Sequence, residues 1–383
     1  MAYRPAQKNM IDPSQKIALR TRLVKLARQG IRYTIPETVN INRPASARSD
    51  TVTLGNETLT RRRIVLITRG CSVATCTMCP LPGEAVDPAR RQIVSKNLIA
   101  QFDAAYSAED KQNHDLVTVY NNGNFFDDHE IPSDVRKYIY QQIASSGAKI
   151  LSVESLPQFI NESSIKEIKE CLGNKKIMVS IGLQSADDTI RELAIDSTCT
   201  RPAFENAIKL LSQVNGIVQP FLMIKPPFVT EAEAIDDAVS SVKYLYSLGI
   251  TDSILCSTRV APHTVLKTVH QKGMFNSPWI WSVVKVLQRC ATEVPEAKPR
   301  ISLGELKMVG KEDSILTHNC QKCTDKLVDL ISQFNLSHDI HLFDGFTCDC
   351  YVDYQKAVAT ESEKYANATI PERIKNFLDI SLT

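Results

Sequence analysis

Six short apolar runs, each followed by a stretch of helical periodicity, constrain this chain more than any other feature. They are residues 64–70, Leu116-Val117-Thr118-Val119-Tyr120, Lys149-Ile150-Leu151-Ser152-Val153, Ile177-Met178-Val179-Ser180-Ile181, Ile217 to Ile224, and Asp252-Ser253-Ile254-Leu255. Strand alternating with helix gives parallel strands joined by right-handed crossovers. Near-continuous apolarity means that both faces of those strands are covered. The pattern predicts an α/β fold, a partial (β/α)6 TIM-like barrel. In such barrels the chemistry gathers at the C-terminal ends of the strands, so the residues just after each run are the candidates for function.

Polar groups follow every run. The second leads to Asn121-Asn122-Gly123-Asn124, whose glycine is expected to let backbone approach a ligand. The third leads to Glu154, the fourth to Gln184-Ser185, the fifth to Lys225 and the sixth to Ser257-Thr258-Arg259. Each alone has an ordinary explanation as a cap or turn. Six in succession point to a ligand site on one rim.

The first run leads to three cysteines, Cys71, Cys76 and Cys79, spaced C-x4-C-x2-C. Thiolates are the usual protein ligands of iron–sulfur clusters, and a compact loop that supplies three leaves one iron of a cubane free for a substrate or cofactor. A structural zinc would want a fourth ligand, and none lies close in sequence. The spacing therefore reads as an iron–sulfur site in preference to zinc or buried thiols.

Two further pairs, Cys320/Cys323 and Cys348/Cys350, lie near the C-terminus with His318 beside the first. Four thiolates in two pairs suit a tetrahedral zinc ion, and an auxiliary cluster is the alternative. Either would staple the tail, with His318 as a helper or a substrate contact in preference to a ligand. Cys171, Cys199, Cys256 and Cys290 are isolated and read as small buried hydrophobes. Thiols clustered in this way suit a reducing compartment.

With 43% hydrophobic residues the 383-residue chain can bury a large core. No apolar stretch approaches the ~20 residues needed to span a bilayer, and the start Met1 to Pro5 lacks the apolar centre of a signal segment. No membrane association and a cytoplasmic location are the expectation. The net charge of +2 hides an asymmetry, because residues 1–63 carry 13 Lys and Arg against 4 Asp and Glu. Leu19, Leu23 and Leu26 recur at helical spacing among Lys16, Arg20, Arg22, Lys25 and Arg28, as in an amphipathic basic helix. Such a helix either meets an anionic partner such as nucleic acid or is simply a solvated face.

The triad after the first strand, the glycine-containing turn after the second, Glu154 after the third and Gly182-Leu183-Gln184-Ser185 after the fourth resemble the radical S-adenosylmethionine enzymes. The stretch Phe221 to Ile235, Pro278-Trp279-Ile280-Trp281-Ser282 and the residues from His318 to Cys350 resemble, more narrowly, the radical subunit of archaeosine synthase. The resemblance implies a partial barrel of the radical S-adenosylmethionine type. It implies that Cys71, Cys76 and Cys79 hold a [4Fe–4S] cluster whose fourth iron binds S-adenosylmethionine, and that one electron from an external donor cleaves the sulfonium. The 5′-deoxyadenosyl radical then abstracts hydrogen, in this branch to cleave a lysine adduct on a 7-deazaguanine of tRNA. It further implies that Asn122, Gly123 and Asn124 lie along the methionine part of the cofactor. Glu154 would meet its ribose or amino group, Gln184 and Ser185 its ribose or carboxylate, and Lys225 a cofactor or substrate carboxylate. A partner enzyme would make the lysine adduct.

The expected organisation is a basic extension over 1–55, the barrel over 56–270 and a metal-stapled α+β region over 271–383. Two rival readings stand beside this one. The first is a radical enzyme that tailors a free amino acid or nucleoside. The second is a non-catalytic scaffold of zinc and iron–sulfur sites that binds nucleic acid. Trp279 and Trp281 could stack on a base, but their spacing reads first as core and rim packing.

Overall fold

The computed structural model describes residues 11–55, 57–307 and 313–381. The polar start Met1 to Pro5, weighed above as a signal segment, lies outside them. Eight strands form one sheet in chain order: β1 (Ser46–Leu54), β2 (Glu57–Val65), β3 (Leu116–Tyr120), β4 (Ile150–Glu154), β5 (Lys176–Gln184), β6 (Ile217–Ile224), β7 (Asp252–Ser257) and β8 (Lys298–Ile301). β1 and β2 form an antiparallel hairpin, and every later neighbour is parallel. The sheet curls into a half-barrel, and across its open side Arg300 of β8 donates to the Thr53 carbonyl of β1 at 3.0 Å.

Twelve α-helices accompany the sheet among the described residues. α1 (Pro13–Gly30) precedes it. α2 (Ser95–Ala105), α3 (Asp110–Asn113), α4 (Ser133–Ala144), α5 (Glu162–Cys171), α6 (Arg201–Ser212), α7 (Glu231–Ser247), α8 (Val265–Gln271) and α9 (Ile280–Glu293) lie between strands. α10 (Thr324–Ser337), α11 (Cys350–Lys364) and α12 (Ile370–Ser381) follow. Their starts are chemically marked. Asp12 accepts from the Ser14 and Gln15 amides ahead of α1, and Thr230 and Glu233 form a reciprocal capping box on α7.

The six expected parallel strands are present, with one shift. The first was expected over 64–70, but β2 spans Glu57–Val65 and so includes Arg61, Arg62 and Arg63. Charges survive in this strand because each has a partner. Arg61 makes a bidentate pair with Asp50 of β1 at 2.7 Å, and Arg62 donates to the Ala105 carbonyl at 2.9 Å. The sheet also reaches past both expected boundaries, taking β1 from within residues 1–55 and β8 from beyond residue 270.

The two-residue period divides each strand. Val117, Val119, Leu151, Val153, Ile177, Val179, Ile181, Leu222, Ile224 and Leu255 face the helices and join the main core. Leu59, Leu116, Ile150 and Met178 face inward and form a small apolar plug. Beyond the plug, toward the strand C-termini, the lumen turns polar: Tyr120, Ser152, Ser180 and Gln219 line a cavity of ≈ 450 Å³.

α1 is packed and not free. Leu19 and Leu23 are buried, and its basic residues meet acids of this chain: Lys16 with Glu192 at 2.7 Å, Arg20 with Asp196 at 2.6 Å and Arg22 with Asp379 at 3.1 Å. The basic face read from the sequence is thus largely a docking face for the fold itself.

Candidate active site

The loop after β2 carries the triad, and a neighbouring turn of helix holds it. Thr77 donates its amide to the Ile195 carbonyl at 2.9 Å and its hydroxyl to the Ala194 carbonyl at 2.6 Å. Thr75 donates to the Asp196 carbonyl at 2.6 Å. Ile190–Ile195 is a π-helix, a rare form whose spare carbonyls are common at functional sites. Nothing in the apolar pattern signals it. Gly70 has φ +78°, and a Cβ there would stand 2.7 Å from the Pro82 carbonyl, so the loop entry admits only glycine.

Burial pushes the Cys71 thiol up and the Cys79 thiol up to about 12, and Cys76 is raised well above its ordinary value by burial and its two neighbours. A cationic group bound among them is what would stabilise three buried thiolates. A cavity of ≈ 260 Å³ lined by Cys76, Cys79 and Arg259 opens beside them, walled by Ala27 of α1 and by Ile31, which caps that helix.

The turn after β3 is organised by Glu130, a residue the sequence reading missed. Its carboxylate accepts from Asn121 Nδ2 at 2.9 Å, from Asn124 Nδ2 at 2.8 Å, from the Asn124 amide at 2.5 Å and from the Ser72 amide at 3.0 Å. Burial pushes it up to about 7. A Cβ on Gly123 would fall 1.8 Å from Glu130 Oε2. The carboxylate therefore requires glycine at this position. Asn124 Nδ2 also stands 3.6 Å from Cys71 Sγ, while its Oδ1 accepts from the Leu156 amide at 2.8 Å. Asn122, at φ +55°, donates to the Glu84 carbonyl at 3.0 Å.

Glu154 ends β4 on the lumen side, and burial alone pushes its carboxyl up to about 7. Gln184 ends β5 at φ +67° beside a bulge, folded so that a Cβ on Gly182 would meet its Nε2 at 2.5 Å. Both end their strands at the rim from which the triad loop leaves β2. Ser185 turns inward from it. It is fully buried, donates to Asp237 Oδ1 at 2.6 Å and accepts from the Asp187 amide at 3.0 Å. Lys225 is likewise committed inside. Only 2% exposed, its Nζ pairs with Glu231 at 2.7 Å and Glu361 at 3.1 Å, tying β6 to α7 and α11. Cys256, expected in the core, instead lies half-buried on the lumen face of β7, whereas Cys199 and Cys290 are buried as expected.

The second cysteine group converges on one point. Sγ–Sγ distances are 3.6 Å for Cys320–Cys323, 3.4 Å for Cys320–Cys348 and 3.5 Å for Cys323–Cys350, and all four ligand atoms lie within 4.8 Å. Four sulfurs ~2.3 Å from one tetrahedral ion stand about 3.8 Å apart. In a cubane each thiolate takes a different iron and the sulfurs spread further, so this group fits a single ion. Trp281 Nε1 donates to Cys350 at 3.4 Å and Asn319 Nδ2 to Cys323 at 3.6 Å, orienting the ligands. His318 is no ligand; its ring stacks on Trp279 at 6.3 Å.

No family model matches the chain. An uncharacterized protein of Methanocaldococcus jannaschii is 29% identical over 293 residues, covering 75% of this chain and 79% of that protein. Archaeosine synthase subunit beta of Methanosarcina acetivorans is 26% identical over 85% of this chain and 92% of that protein, and its namesake from Thermococcus kodakarensis 24% identical over 75% and 88%. The solved structure of archaeal Elp3 from Methanocaldococcus infernus is a loose likeness on which no conclusion rests, at TM-score 0.43 and 16% identity over 63% of this chain and 59% of that one. No helix among the described residues is long and apolar enough to cross a membrane. This chain is thus similar to the archaeosine synthase beta subunits along most of their length, and it carries a cysteine triad on the loop after β2 of its half-barrel.

Proposed function

We propose that the mouth of the half-barrel binds a [4Fe–4S] cluster through Cys71, Cys76 and Cys79 together with S-adenosylmethionine, and that the reaction is cleavage of the C–N bond of a lysine adduct on a 7-deazaguanine of tRNA. The observation that carries the first half is the C-x4-C-x2-C triad itself, three cysteines on a loop after β2 that is braced by Thr75 and Thr77. What supports the second half is the relationship to two archaeosine synthase beta subunits over most of their length. When bound, the cluster and S-adenosylmethionine would supply a reducing electron and a carbon radical able to abstract hydrogen.

This chain's own residues do the rest. Asn124 positions Cys71 and carries Glu130's order into the triad loop. Glu154, drawn toward neutrality by burial, is suited to meet an ammonium or hydroxyl group and would regain its charge on doing so. Gln184 offers a carboxamide from the facing strand. The apolar plug of Leu59, Leu116, Ile150 and Met178 closes the floor of the lumen to water. Ser185 and Lys225, given to Asp237 and to the two glutamates, act as braces of the rim. The C-terminal site takes zinc as a structural staple.

Division into an extension, a barrel and a C-terminal region remains part of the proposal, as do a cytoplasmic location, an external electron donor and a separate enzyme that makes the adduct. Anaerobic incubation with S-adenosylmethionine, dithionite and tRNA bearing the lysine adduct tests the reading. Formation of 5′-deoxyadenosine together with an amidine-bearing base supports it. 5′-Deoxyadenosine with the adduct left intact would instead favour a free small-molecule substrate, and neither product would favour the scaffold.

A further inference from the structure

Beside the four-cysteine site lies a cavity of ≈ 730 Å³ that the proposed chemistry does not use. That size is within the ~300–1,000 Å³ of ordinary ligand pockets. Its wall is aromatic, with Phe346 and Tyr351 packed on Trp281 at ring distances of 5.7 and 5.1 Å. Its rim is basic. Lys285, Lys322 and Lys326 line it, and Asp349 is the one carboxylate among the described lining residues. Asp349 is itself fully exposed and 4.0 Å from Lys322.

Two of those lysines sit where a helix would rather not have them. Lys322 stands just before Cys323, the N-cap of α10, and Lys326 lies in the first turn beside Asp325, at the positive end of the helix dipole, where anions are favoured and cations are not. A phosphate placed there would be met by both lysines and by the dipole. The groove also lies at the active end of the barrel. Glu231, which opens α7 just after β6, accepts from the Trp279 amide at 2.8 Å and so brings the start of α9, with Trp281, to the mouth side.

We infer that this groove binds a single-stranded segment of nucleic acid, with bases against Phe346 and Tyr351 and phosphates on Lys322 and Lys326. The inference deepens the proposed function by naming where the RNA substrate is gripped, and it rests on that reading for its biological meaning. Lysines interleaved with half-buried aromatics in one groove follow the physical pattern of sequence-tolerant single-strand binding. A rival explanation is that the lysines only offset the negative charge of an ion bound by four thiolates.

The test is fluorescence anisotropy of the metal-loaded full chain with a labelled twelve-nucleotide RNA of mixed sequence, titrated over salt. Lys322→Glu/Lys326→Glu is expected to raise Kd by roughly tenfold or more and to reduce the salt slope by about 1.4, as for two phosphate contacts on a single strand. Lys166→Glu, on α5, serves as the charge control. Binding of the double variant at wild-type strength would overturn the inference, as would an equal loss in Lys166→Glu or loss of the bound metal in the double variant with RNA affinity retained. Formation of 5′-deoxyadenosine by the wild-type enzyme, measured without RNA, keeps the two readings apart. If it appears while the groove variants bind normally, only the groove falls; if it is absent while they bind weakly, only the radical reading falls.

Discussion

Thr77 Oγ1 stands 2.6 Å from the Ala194 carbonyl, so the residue between the second and third cysteines of the triad is held by a π-helix more than a hundred positions later. The triad's geometry therefore depends on a helix that belongs to the β5–β6 connection. Thr77→Val keeps the shape of the side chain and leaves a buried carbonyl without its donor, at a cost of about 1–3 kcal/mol. Lower thermal stability and less iron retained per chain after reconstitution are expected. A variant with wild-type melting and iron content would show that the loop is set by other contacts.

Lys225 separates a cofactor role from a bracing role. Removing one member of a buried ion pair costs about 3–5 kcal/mol because the partner charge is left unpaired. Lys225→Met should accordingly unfold several degrees earlier, with Glu231 and Glu361 stranded. Adding Glu361→Gln should recover part of the loss. A stable Lys225→Met with a raised KM for S-adenosylmethionine would restore the lysine to the cofactor site.

Asp237 makes a pH-dependent prediction. Burial pushes its carboxyl up to about 8 although Ser185 donates to it; Asp187 adds to the rise and Arg191 opposes it, and Oδ2 has no hydrogen-bond partner. The folded state thus holds the proton that the unfolded chain releases near the ordinary carboxyl value of 3.8. Stability from this site is full below that value and is lost as pH rises toward 8. Asp237→Asn keeps the Ser185 bond without the charge. Its melting temperature should exceed that of the wild type by more at pH 8 than at pH 5. Equal differences at the two pH values would mean that Asp237 is ionised in the fold.

The C-terminal site predicts one ion per chain. Cys348→Ala should lose that ion and melt earlier, because binding free energy at such a site is folding free energy. Elemental analysis is expected to find zinc there, retained in a Cys76→Ala chain whose triad cannot hold iron. Iron in place of zinc would change the metal but not the staple. Full stability of Cys348→Ala would remove both.

Much of the architecture can be read along the chain, because the helix-covered face of each parallel strand is apolar, as Val117 and Val119 in β3 and Ile177 and Val179 in β5 are. The edges escape that logic. β1 is largely polar, with Arg48 and Asp50, and β8 contains Pro299, so neither has the apolar run that marks a central strand. The triad and the four C-terminal cysteines are visible because spacing encodes metal chemistry directly. The partners of Ser185 and Lys225 are not legible, since position after a strand does not reveal which way a side chain turns. Glu130 was missed for the converse reason: it follows no strand, and its importance lies in the loops it joins.

The most direct measurement is anaerobic reconstitution with iron and sulfide, followed by S-adenosylmethionine and dithionite, comparing the wild type with Cys76→Ala. The account predicts iron–sulfur absorption and 5′-deoxyadenosine from the wild type, and neither from the variant. A wild-type chain that holds no cluster or leaves S-adenosylmethionine intact would contradict it, as would a Cys76→Ala chain that still cleaves the cofactor.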